Sequence, residues 1–327
     1  MANGKRKINA MTEFILTISI LQLLIPLLLL FRQWQERSPS KIQWLFKTIL
    51  AIGYLTAIAV AGLWNLLPFF VPYLFLVASL LFAARGFLRI RQAPFWRAET
   101  VSEKIKVGAT ALFAVLVSAL TIYAMSGWSI AQGYAVQLHF PLRDGVFYIA
   151  NGGSNSLLNA HLETLEGERF HPYRGQSFGV DILQINRFGL RANGFLPANP
   201  EEYVIFGAPV YSPCAGTVIE TENGREDQPV PEIDESVRPG NHVILDCGEF
   251  VILLAHFKKG SVAVAAGQQV EAGEKLGEVG NTGETGEPHL HIHAQRRGSQ
   301  PTALDGEPLW ILFEGNKFFV RNRIIVR

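Results

Sequence analysis

The stretch Gly283-Glu284-Thr285-Gly286-Glu287-Pro288-His289-Leu290-His291-Ile292-His293 decides how the C-terminal part of the chain is read. Leu290 and Ile292 alternate with His289, His291 and His293. On a β-strand, a period of two places the three imidazoles on one face and the two apolar side chains on the other. Three of the chain's eight histidines fall within these five residues. Neutral imidazole is a common zinc ligand, so the face they share is a candidate metal site rather than a decorated surface strand.

Upstream of that stretch, from about residue 134, the texture is short runs of Val, Ile, Phe and Tyr separated by Gly, Pro and Asn. VQLHF, EYVIFG, GTVIET, NHVILD, FVILLAHF and VAVAAG read as strands. Turn signals stand at Pro213, Gly216, Pro239-Gly240, Gly260, Gly267 and Gly273. No long helical periodicity interrupts them, so the expected form is an all-β antiparallel sandwich or open barrel.

The N-terminal third is different. Apolar runs span 14–31, 48–64, 67–84 and 107–126, and runs of this length without charge exceed what the buried helices of an ordinary core use. They predict an all-α transmembrane region of four helices. The first run lacks a small-residue cleavage site and reads as an anchor, not a removed signal peptide. No charged residue lies clearly inside a span, which argues against a transport pathway. The expected organisation is therefore a membrane anchor over 1–127, a linker over 128–139 and a β domain over 140–327.

Lys and Arg are retained on the cytoplasmic side of a membrane, so their placement predicts orientation. The tail carries Lys5, Arg6 and Lys7, whereas the first loop has Arg32, Arg37, Lys41 and Lys47. The third loop adds Arg85, Arg89, Arg91, Arg97, Lys104 and Lys106. Loops one and three share a side and outweigh the tail, which places both termini, and the β domain, outside the cytoplasm. A formal net charge of +1 gives no bulk argument for nucleic acid. Cys214 and Cys247 are the only cysteines, too few for a disulfide scaffold or a cysteine-rich zinc ribbon. They pair if their domain lies outside the cytosol; two buried free thiols are the alternative.

Two further segments carry chemistry. In Gln176-Ser177-Phe178-Gly179-Val180-Asp181-Ile182, a carboxylate stands among apolar residues, where it is costly unless paired, hydrogen-bonded or bound to metal. In Leu253-Leu254-Ala255-His256-Phe257, a histidine closes an apolar strand. A carrier-domain reading of VEAGEKLGEVG fails, because Lys275 does not sit in the context of a modifiable hairpin-tip lysine.

Taken together, FGAPVYSPCAGTV, GNHVILD, LLAHFKKGSVAVAAGQQVEAGEKLGEVGNTG and EPHLHIH resemble the lysostaphin-type (LytM-type) zinc metallopeptidase domain, over roughly residues 140–320. The resemblance implies a small antiparallel β-structure with a groove, a bound Zn2+, and cleavage of peptide cross-links in bacterial peptidoglycan. It implies Asp181 and His291 as zinc ligands and His256 with His289 as the catalytic pair. The family pattern also calls for a histidine four residues before Asp181, and this chain has Ser177.

A catalytic zinc normally takes three protein ligands and leaves a fourth position for water. His161, on the N-terminal approach to the motif, is the first candidate to replace the missing ligand; His171 and His293 are the others. With no replacement, the domain reads instead as a degenerate cell-wall binding or regulatory module. In the enzymatic reading, His256 or His289 takes a proton from water and the other stabilises the oxyanion or protonates the leaving amine. Gly280, Gly283 and Gly286 would leave room for an extended peptide.

Overall fold

The computed structural model describes residues 17–130, 133–297 and 304–327. The basic tail Lys5, Arg6 and Lys7, the start of the first apolar run, and positions 131–132 of the expected linker lie outside the described residues. By its contacts the chain divides into an N-terminal helical unit and a C-terminal β unit, the second of which takes up the chain from Ser126.

In the helical unit, Thr17–Trp34, Lys41–Ala61, Val71–Ile90 and Val101–Ser126 are four helices long and apolar enough to cross a membrane. No more than 28% of the apolar window of any of them is buried within the protein. Leu74, Leu81, Leu88 and Ile122 point outward, where a helix of a soluble core would be polar. Each of the four helices runs past one end of the apolar stretch that predicts it, because polar and charged side chains continue beyond the hydrophobic window without breaking the backbone ladder. The last helix starts at Val101 for a local reason. Thr100 Oγ1 accepts from the Glu103 amide at 3.2 Å while Glu103 Oε2 accepts from the Thr100 amide at 3.1 Å, a reciprocal cap. Within the first helix, a π-helical turn at Ile20–Leu24 runs directly into α-helix Ile25–Trp34, and the π turn stands immediately before Pro26, whose missing N–H interrupts the regular ladder.

The β unit contains β1 (Ala135–Leu138), β2 (Val146–Asn151), β3 (Val180–Ile185), β4 (Pro209–Tyr211), β5 (Gly216–Glu222), β6 (Asn241–Asp246) and β7 (Val251–Phe257). It continues with β8 (Gln269–Val270), β9 (Lys275–Glu278), β10 (Leu290–Gln295), β11 (Pro308–Phe313), β12 (Lys317–Phe318) and β13 (Ile324–Val326). The larger sheet runs β13-β2-β3-β10-β7-β6-β5-β8, with β11 branching from β10 to β1 and β12. A two-stranded sheet, β4-β9, stands apart.

The expected antiparallel β domain is thus present as one branched sheet plus a two-stranded one, and no sheet closes on itself among the described residues. Pairing is antiparallel except between β1 and β11, which are parallel. β10 occupies the middle, with β3 on one side and β7 on the other. Its apolar members Leu290, Ile292 and Ala294 are fully buried in the main core with Ile182, Leu254, Phe257 and Val243. The period of two in the sequence is therefore the period of the core, and it turns the histidines to the opposite face.

Two expected strands are not strands. EYVIFG makes successive tight turns, Phe206 N donating to Tyr203 O and Ala208 N to Ile205 O, and buries Tyr203 and Ile205 as plugs. VAVAAG runs as a loop whose amides bond to the Asn223 side chain and to Leu276 O. In both, alternating apolar residues serve a loop that fills the core, a use that periodicity alone does not separate from a strand. Cys214 and Cys247 form a disulfide across 33 residues and pack against the main core.

Candidate metal centre

The register of three strands builds the site. His291 of β10 pairs with Asp181 of β3 and with Ala255 of β7, so the carboxylate and the imidazole lie side by side on one face of the sheet. His291 Nδ1 is 2.8 Å from Asp181 Oδ1. Close approach is allowed by Gly179, where a Cβ would lie 2.7 Å from His291 Cε1.

His161 reaches the same carboxylate from outside the sheet. Its Nε2 lies 3.0 Å from each Asp181 oxygen. It sits on a 3-10 turn, Ala160–Thr164, capped by Asn159, whose side chain accepts from the His161 amide at 3.1 Å and donates to Gly179 O at 3.0 Å. Asn151, opposite Asp181 on β2, donates to Asp181 Oδ2 at 2.8 Å. The Asn151 amide is oriented by Arg321, whose Nη2 donates to its Oδ1 at 2.6 Å.

Ser177, which stands where the resemblance calls for a ligand, is fully buried and bonds to other partners. Its hydroxyl donates to Arg174 O at 2.7 Å and lies 2.8 Å from Thr164 Oγ1. His171 is exposed on the 3-10 segment Glu168–Phe178. His293 is buried on the same face as His291, its Nδ1 2.9 Å from His291 Nε2. Ligand atoms of His161, Asp181 and His291 all lie within 4.8 Å of one another.

His256 and His289 also line the cleft. His256 has a positive φ of 66°. The β6–β7 register skips it, pairing His242 with Ala255 and Asn241 with Phe257. This bulge re-aims the side chain of a residue that alternation would otherwise send elsewhere. His256 Nδ1 donates to Thr282 O at 2.8 Å, and the His256 and His289 ring centroids are 4.7 Å apart. His289 Nδ1 is bonded to Glu287 O at 2.9 Å, with Thr285 Oγ1 at 3.1 Å, and its Nε2 lies 3.6 Å from Asp181 Oδ1.

The electrostatics follow from burial and from one carboxylate. Burial alone would raise the Asp181 carboxyl, but the charges of His161 and His289 and the hydrogen bonds from His161 and His291 hold it well below the usual carboxylate range. Burial lowers His161, yet Asp181 more than offsets that and its net shift is upward. Burial, opposed by the Asp181 hydrogen bond, pushes His291 down to about 4. Burial, then the neighbouring imidazoles, take His256 well below the ordinary histidine value. His256 and His291 are accordingly neutral near pH 7, the form in which imidazole binds a metal or accepts a proton.

The five residues line a cleft of ≈ 280 Å³. At its rim Arg238 pairs with Glu284 at 2.6 Å and lies 4.1 Å over the Tyr173 ring. Gly286 borders the cleft with open space where a Cβ would go. Gly283 instead is required by the chain itself: its φ is 83°, and a Cβ there would lie 2.4 Å from Gly240 N.

Two imidazoles and a carboxylate beside an open cleft are a donor set that fits a catalytic zinc with one position left for water. The stretch that carries His256, His289 and His291 also has relatives. Residues 203–303 match peptidase family M23. An M23 domain is therefore present in the chain, with Asp181 and His161 upstream of the matched residues. Peptidoglycan DD-endopeptidase ShyA of Vibrio cholerae serotype O1 is 31% identical over 110 residues, 33% of this chain and 22% of that protein. The chain thus spans less than a quarter of that relative's length. Among solved structures, a zinc containing peptidase from Vibrio cholerae aligns at 20% identity and a TM-score of 0.28, covering 57% of this chain and 37% of the other. The catalytic domain of the antimicrobial peptidase lysostaphin from Staphylococcus simulans aligns at 22% identity and a TM-score of 0.25, covering 39% and 73%.

Sequence reasoning had no signal for Asn151, Arg321, Asn159 or Thr285, which come together only through the fold. It also missed Arg191, which is 3% exposed at its side chain and donates to Glu287 at 2.6 Å. That pair fixes the residue whose carbonyl orients His289.

Proposed function

We propose that this chain is a membrane-anchored zinc metalloendopeptidase that hydrolyses peptide bonds in peptidoglycan cross-links. The observation that carries the reading is the convergence of His161, Asp181 and His291 within 4.8 Å, beside a cleft that His256 and His289 also line. His161 supplies the third ligand in place of the histidine that Ser177 lacks. Zinc bound there would acidify a water molecule and polarise the scissile carbonyl.

The chain's own residues manage the protons. His256 donates through Nδ1 to Thr282 O, and His289 through Nδ1 to Glu287 O, so in both rings Nε2 is the nitrogen left to exchange a proton with the substrate. One of the pair takes a proton from the attacking water as the oxygen bonds to the carbonyl carbon. The other, when protonated, donates to the developing oxyanion or to the amine as the C–N bond breaks. Asp181 keeps a negative charge between His161 and His291 and fixes both rings.

Placement outside the cytoplasm is supported by the basic first and third loops and by the Cys214–Cys247 disulfide, since disulfides persist in oxidising compartments. The four apolar helices support multi-pass anchoring.

The full chain in detergent, incubated with purified peptidoglycan sacculi, tests the activity. Release of cleaved cross-link peptides that stops with a chelator and returns with zinc is expected. Protein that binds sacculi without cleaving them, and carries no zinc, would replace the enzyme with a binding module.

A further inference from the structure

His293 is the one histidine of the β10 face that the proposed reaction does not use. It is 1% exposed, and its Nδ1 lies 2.9 Å from His291 Nε2. The ring centroids are 5.2 Å apart at 66°, so the contact is an in-line polar one and not a stack. A buried polar pair of this kind is specific, because one nitrogen must donate and the other accept.

The two edges of the His291 ring are unequal. The Nδ1 edge faces Asp181 at 2.8 Å. The Nε2 edge faces His293 Nδ1 at 2.9 Å. A metal shared with Asp181 and His161 would therefore meet His291 at Nδ1, the nitrogen on the Asp181 side. A neutral imidazole carries a single N–H, so Nδ1 has a lone pair to offer only when the proton resides on Nε2.

We propose that His293 is a positioning residue: where a metal takes the place of the proton that His291 Nδ1 shares with Asp181, His293 Nδ1 accepts the Nε2–H of His291 and so holds the Nδ1 lone pair toward the metal. The inference rests on the zinc reading above and deepens it. A ligand's outer hydrogen-bond partner fixes its tautomer and ring orientation, and its loss weakens metal binding by about 10–100-fold.

The test compares zinc affinity of the full chain in detergent, by competition with a chromophoric chelator, for wild type, His293→Leu and His293→Asn. Leu fills the volume without an acceptor, whereas Asn places an oxygen close to where Nδ1 lies. His293→Leu is expected to bind zinc about 10–100-fold more weakly, with His293→Asn close to wild type. In parallel, NMR of zinc-loaded wild type labelled with 15N-histidine is expected to show His291 protonated at Nε2, a readout that needs no variant to fold. Wild-type affinity in a folded His293→Leu protein, or His291 protonated at Nδ1 in the loaded wild type, would overturn the role of His293 and leave the zinc reading standing. Wild type that binds no zinc would remove both.

Discussion

The Ser177 hydroxyl lies 2.8 Å from Thr164 Oγ1, and Thr164 Oγ1 donates to the His161 carbonyl at 2.8 Å. Ser177 therefore sits directly against the 3-10 turn that carries His161, its one hydroxyl proton shared between Arg174 O and Thr164 Oγ1. The residue standing in the expected ligand position and the residue presented to Asp181 are two ends of one polar chain.

Restoring a histidine at position 177 should then harm the protein. Ser177 is fully buried, and an imidazole there would overpack the contact with Thr164 at a cost of about 1–3 kcal/mol. Thermal unfolding of Ser177→His is expected at a lower temperature than wild type, with no gain in zinc affinity by titration. A stable variant that binds zinc more tightly would mean that His161 is a poor substitute.

His256→Ala separates catalysis from metal binding. In the proposed reaction the ring transfers a proton, and it lies outside the His161, Asp181 and His291 group, so zinc content should persist while kcat falls by about 100- to 10,000-fold. Steady-state cleavage of a synthetic cross-link peptide, with zinc measured on the same preparation, checks this. Loss of zinc together with activity would make His256 a ligand.

Arg191→Ala should act at a distance. Glu287 is 20% exposed and loses its 2.6 Å cationic partner, at a cost of about 2 kcal/mol, below the value for a fully buried pair. Because the Glu287 carbonyl accepts from His289 Nδ1, kcat should fall as well. Chemical denaturation and kinetics on the one variant measure both effects.

Reducing the Cys214–Cys247 bond should lower stability without touching the cleft. It closes a loop of 33 residues, for which the loss of chain restraint is about 3–4 kcal/mol. Denaturation of the full chain with and without reductant is expected to differ by that order, and zinc affinity in the native baseline to be unchanged.

Much of the helical unit was readable because hydropathy over 18 or more residues is a local property, as the four helices illustrate. The alternation from His289 to His293 was equally local and gave β10 its facing. EYVIFG misled for the same reason: Tyr203 and Ile205 are as buried as strand residues while their backbone turns. The setting of His161 beside Asp181 depends on Asn159, Thr164, Ser177 and Asn151, which come from separate segments and leave no periodic trace. The αL conformation of His256 is likewise invisible in sequence, since it follows from a register skip between β6 and β7.

The zinc content of the purified full chain, measured by elemental mass spectrometry beside His161→Ala, bears most directly on the metal centre. One zinc per chain is expected in wild type. The variant should lose it through an affinity drop of more than about 100-fold, beyond what loss of an outer-shell partner causes. Wild type free of zinc, or His161→Ala that retains its full complement, would contradict the assignment of His161, Asp181 and His291 as the ligands.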